Sequence, residues 1–196
     1  MDLAQITAIV FVFAFTLVAL FYDAWVRKIP NVLTMPAFAA GLLFHFVNGY
    51  RLDGLSGAGR DLRFALAGFA VGFGIVLILF VVGGSGGGDV KFMGALGCWL
   101  GSWMTFQVLV LSAIYAGAMT IVIVGSKVFQ LKRLGGDRSS NRSRDTRRKK
   151  TDSAWHEPIR SKENWVVPFG VPAALAAWTM LALQMAGYGL PWPPIH

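Results

Sequence analysis

Three stretches of this chain, residues 4–22, 64–83 and 105–125, carry no charged side chain at all. A helix needs about 20 apolar residues to cross the hydrocarbon core of a bilayer. In lipid, backbone polar groups must be satisfied within a helix or a closed barrel. Runs of this length exclude an ordinary soluble domain and predict an all-α membrane protein. With 55% hydrophobic and 14% charged residues, the composition agrees. Further apolar segments at 32–48, 90–103 and 166–188 bring the expectation to a bundle of about six transmembrane helices. The segment 90–103 is short for a span, so a re-entrant course is its alternative. Its Gly94, Gly97 and Gly101, like Gly68, Gly72 and Gly74 in the preceding span, predict close helix packing. Only Asp2 precedes the first apolar run in charge, so that run reads as a retained span rather than a signal peptide.

Orientation follows from lysine and arginine. Arg27 and Lys28 follow the first span, Lys91 follows the third, and twelve basic residues lie between 126 and 165. These make fifteen of the eighteen basic residues, all in loops that share one side. That side is expected to be the cytoplasm, with both ends of the chain facing outward. The expected organisation is a transmembrane core at 1–131, a disordered basic loop at 132–164, and a last span with an outer tail at 165–196, in the same domain as the core. The loop has too few large apolar residues to fold alone. Its expected roles are to anchor topology and to touch anionic lipid. No aromatic interleaving accompanies its arginines, so no nucleic acid partner is expected.

Charged groups beside membrane segments are costly and tend to be functional. Two acids stand at the cytoplasmic ends of predicted spans: Asp23 in "LFYDAWVRKIPN" and Asp89 in "GGSGGGDVKFM". Singly, each has a plain reading. Asp23 lies one helical turn from Arg27, and Asp89 suits the N-cap of the fourth span. As a pair they fit hydrolytic chemistry. Two carboxyls held close cannot both ionise easily, so one takes a proton from water while the other donates to a carbonyl. Glycines 86 to 88 remove Cβ atoms beside Asp89, which admits an extended backbone or a positive φ. Pro30 suits the first residue of the second span. The one cysteine, Cys98, forms neither an internal disulfide nor a zinc cluster. His45, His156 and His196 match no metal spacing. No metal and no cofactor are expected.

"GGGDVK", residues 86–91, resembles the G-x-G-D-x-K signature of the prepilin peptidases, the GxGD class of membrane aspartic proteases. "DAWVRKIPN" is similar to the family's first aspartate with its I-P-N turn, and "VPFGVP" at 167–172 to the start of its last span. The resemblance implies catalytic Asp23 and Asp89, with Gly86, Gly88, Lys91, Pro30 and Asn31 binding substrate or shaping the loops. Asn31 would hold the Asp23 turn, and Lys91 would orient Asp89 or meet a substrate carbonyl. It implies a type IV (Flp-like) prepilin substrate whose basic leader is cut at the cytoplasmic face of the bacterial inner membrane. Larger members carry a four-cysteine zinc region and methylate the new N-terminus. This chain has one cysteine, and so resembles a minimal Flp/Tad-type member without methyltransferase activity. The alternative from another class is a small transporter or channel using Asp23 and Asp89 for cations or protons.

Overall fold

The structure is a computed structural model that describes residues 3–26, 30–83, 86–135 and 170–187. Among the described residues there are four helices: α1 (Leu3–Val26), α2 (Asn31–Val81), α3 (Gly87–Gly135) and α4 (Gly170–Met185). The all-α membrane class holds. Among the described residues, three helices are long and apolar enough to cross a membrane, and α4 is shorter.

The breaks differ from those expected. In place of a connection at 49–63, helix continues on both sides of Asp53 and Gly54. Gly54 has φ 59° and ψ −145°, a backbone region essentially open to glycine alone. Two residues therefore reverse the axis. Residues 31–52 and 55–81 lie antiparallel, with ring centroids 5.4 Å apart at His45–Phe64 and 4.7 Å at Phe38–Phe69. α3 breaks once, at Gly101, with φ 74° and ψ 172°. The Phe64 ring fills the space where a Cβ at 101 would stand.

The buried face of α2 shows why these segments pack. It reads Thr34, Ala37, Gly41, His45, Gly49, Gly57, Ala58, Asp61, Ala65, Gly68, Gly72 and Val76, small or polar residues at helical spacing except for the valine at its end. Leu43, Phe46, Ile78 and Leu79 face outward. Lipid tails are as apolar as leucine, so large side chains gain little by turning inward, whereas small ones let backbones meet. Gly68 lies against Gly97, and Gly72 against Met93. Gly74, expected to do the same, faces open space.

Residues 92–100, most of the short fourth segment, are buried throughout. Trp99 fixes this segment. Its ring stacks on Phe11 at 3.9 Å and Phe44 at 5.2 Å, and its Nε1 donates to the Ala37 carbonyl at 2.9 Å. α4 packs on α1 through buried Ala173, Ala176 and Ala177, and Trp178 Nε1 donates to Thr16 Oγ1 at 2.8 Å.

The chain divides into two compact units, one of Met1–Ala116 with Pro168–His196, the other Gly117–Val167. Of the second, the described part is helix, with Ile121, Val122 and Val124 exposed. α3 extends to Gly135, into the first residues of the expected basic loop. The rest of 132–164 lies outside the described residues, as do Arg27, Lys28 and the tail from 188 onward.

Candidate active site

Asp23 occupies the last turn of α1 and is 6% exposed. A carboxyl buried in an apolar bundle needs a hydrogen-bond partner. Its Oδ2 accepts from the backbone N–H of Gly170 at 2.8 Å. Gly170 is the first residue of α4, so its N–H has no partner inside that helix. One contact thus satisfies a helix end and a buried acid. Arg27, the alternative neighbour of Asp23 in sequence, lies outside the described residues.

Eight residues after Asp23 the chain enters α2. Pro30 is the N-cap rather than the first helical residue. With φ −72° and ψ 144° it is extended, and its carbonyl accepts from the N–H groups of Leu33 and Thr34 at 3.1 and 3.4 Å. The proline ring suits this φ, and an N-cap residue has β-region angles while its carbonyl begins the helix. Asn31 is then the first helical residue. Its Oδ1 accepts from Lys91 Nζ at 2.9 Å.

Asp89 is the third residue of α3, three past the N-cap position where it was expected. Gly86 caps the helix, its carbonyl accepting from the Asp89 and Val90 N–H groups. The Asp89 carboxylate reaches back, Oδ2 accepting from the Gly86 N–H at 3.0 Å. This is the acidic half of a capping box. It fixes one carboxylate oxygen while the group stays only half-buried. A Cβ on Gly86 would lie 3.3 Å from that oxygen. Gly86 to Gly88 show no positive φ, one of the two uses open to them; in the described part of this loop Gly83 has one, at 89°. Gly88 is the second residue of α3 and half-buried.

These residues gather at one end of the first unit. Phe15 stacks on Phe92 with centroids 5.4 Å apart, and Phe11 on Trp99 at 3.9 Å, so α1 and residues 87–100 are antiparallel. Asp23 lies two turns beyond Phe15 and Asp89 one turn before Phe92. Helical rise carries both carboxyls toward the same end, by about 12 and about 5 Å respectively. The starts of α2 and α4 reach that end too, through Asn31–Lys91 and Gly170–Asp23.

Gly170 carries a role that reading of the sequence missed. Its signal was a glycine between Pro168 and Pro172 at the start of a span. Lys91 was expected to orient Asp89 or meet a substrate carbonyl; the partner the structure gives its Nζ is Asn31 Oδ1. The Lys91–Asn31 bond is exposed, so its net worth is on the order of 1 kcal/mol. Lys91→Met and Asn31→Ala are each expected to lower stability by about that much, and the double variant by little more than either alone. Thermal midpoints in detergent check this; full additivity would show that the two side chains do not pair.

A sequence profile described as the type IV leader peptidase family matches residues 10–121. Asp23, Asn31, Asp89 and Lys91 fall inside that range, and Gly170 falls beyond it. Two proteins named prepilin leader peptidase/N-methyltransferase, from Aeromonas salmonicida strain A449 and from Aeromonas salmonicida, are each 35% identical over 107 residues. The match covers 53% of this chain and 35% of each relative, so the chain spans about a third of their length. No solved structure matches. With that match over more than half of its residues, the chain belongs to the type IV leader peptidase family.

Proposed function

We propose that this protein is an aspartic endopeptidase of the bacterial inner membrane that removes the basic leader from Flp-like prepilins. Asp23 and Asp89 act on one water at the cytoplasmic face. The carboxylate of the pair takes a proton from the water, whose oxygen attacks the scissile carbonyl carbon. The protonated carboxyl donates to the carbonyl oxygen, and collapse of the tetrahedral intermediate breaks the C–N bond as the leaving nitrogen gains a proton. The apparent acidities belong to the pair, so neither role is tied to one residue.

The observation that carries this reading is the Lys91–Asn31 hydrogen bond. It ties the first residue of α2, eight positions after the first aspartate, to the first turn plus one residue of the helix bearing the second. Lone acids of an ion pathway have no need of such a tie. The half-buried state of Asp89 beside glycines suits an incoming extended chain. A side with fifteen of the chain's eighteen basic residues suits the cytoplasm. Its basic loop meets anionic lipid rather than the leader, since like charges repel. The relatives' names include methyl transfer; with one cysteine and no four-cysteine region, this chain cleaves without methylating.

The purified full chain is expected to shorten a leader-bearing Flp-like pilin, giving two products whose masses sum to substrate plus one water, and adding no methyl group when a methyl donor is supplied. An intact pilin, together with cation flux into liposomes that depends on Asp23 and Asp89, would replace this reading with transport.

A further inference from the structure

We infer that Gly170 is a positioning residue for the Asp23 carboxyl, acting through both its N–H and its missing side chain; this rests on the peptidase reading above. The N–H holds Oδ2 at 2.8 Å. The Cβ position at residue 170 is occupied by the same carboxyl: a methyl there would meet Oδ2 first, with Cγ at 3.0 Å and Cβ at 3.1 Å. No other neighbour stands so near. Gly49, Gly57, Gly68, Gly72 and Gly97 meet backbone first; Gly170 meets the end of a side chain.

That difference decides what a substitution does. Backbone against backbone yields only by moving helices. A carboxyl yields by turning about its own bonds. The cheapest relief of a methyl at 170 is therefore rotation of the Asp23 carboxyl away from Gly170, with a give of a few tenths of an ångström at the Asp23 Cβ and no larger movement of α1 against α4. Their packing rests on Ala173, Ala176, Ala177 and the Trp178–Thr16 bond, which begin one turn further along α4. The fold survives while the reacting group is displaced. A misplacement of about 1 Å costs up to about 100-fold in rate.

The test uses the full chain in detergent with an Flp-like pilin. Gly170→Ala is expected to lower kcat about 10- to 100-fold, with KM and thermal midpoint within two-fold and a few degrees of wild type. A second form, with glycolic acid in place of residue 170, removes the N–H without adding bulk, and is expected to lower kcat about 10-fold at unchanged KM. Gly74→Ala, at a position facing open space, is the control and is expected to cleave normally. Wild-type kcat in both forms at 170 would overturn the assignment, as would a Gly170→Ala loss that tracks a fallen midpoint while the glycolate form cleaves normally. Asp23→Asn separates the two layers. If it cleaves normally, the peptidase reading itself fails; if it is inactive while both forms at 170 are normal, only the role of Gly170 fails.

Discussion

Asp23→Asn and Asp89→Asn are each expected to reduce leader cleavage by on the order of 1,000-fold or more, and the double variant to be no worse than either. Groups that act as a unit are not additive, because losing one already removes the step that needs both. Asparagine keeps the size of aspartate and a carbonyl oxygen that can accept the Gly170 N–H at position 23 or the Gly86 N–H at position 89. Both variants should therefore purify as folded protein with near wild-type midpoints. What they lose is the ability to take or give a proton at that oxygen. Cleavage of a leader-bearing pilin, followed by mass, is the measurement. Normal cleavage by either variant would show that the two acids do not share one water. A loss confined to Asp89→Asn would point to a site built on Asp89 with another partner.

The sequence made some of this arrangement plain and hid the rest, for identifiable reasons. The two acids were legible because a charge at the end of a twenty-residue apolar run has few cheap explanations. The glycines at 68, 72, 94 and 97 were legible as packing sites because helical spacing aligns them on one face. Gly74 was misread by the same logic. It is six residues from Gly68 and two from Gly72, on the wrong side of the helix from both, so it meets nothing. The turn at Asp53 and Gly54 was invisible for another reason: a long, partly charged stretch looks like a loop, yet one glycine at a φ of 59° suffices to reverse a helix. The bonds from Asn31 to Lys91 and from Asp23 to Gly170 join residues 60 and 147 positions apart. No local period reports pairs so distant. Short motifs placed the residues near their roles; only the packing of α1, α2, α3 and α4 decided which side chain met which.

Gly68→Val is expected to prevent folding, the second large effect. A Cβ at 68 would lie 2.8 Å from both the Gly97 carbonyl carbon and the Gly101 Cα, closer still to the Gly97 oxygen. These are backbone atoms of a segment buried from 92 to 100, gripped by Trp99 on its other side. It has no free direction in which to retreat. Overpacking a core costs about 1–3 kcal/mol where side chains can adjust and more where they cannot; stabilities of only about 5–15 kcal/mol leave little margin. Gly72→Ala presses on the same segment one turn nearer Asp89, against the Met93 carbonyl. The relief open to it is a displacement of residues 87–100, which carry Asp89 and Lys91. Its expected signature is therefore different: partial loss of midpoint with a larger loss of cleavage. Thermal unfolding and cleavage rates on the same samples separate the cases. A well-folded Gly68→Val protein would mean that these two backbones are not in contact. A Gly72→Ala protein that loses stability but keeps full cleavage would mean that the Asp89 turn is held independently of the helix beneath it.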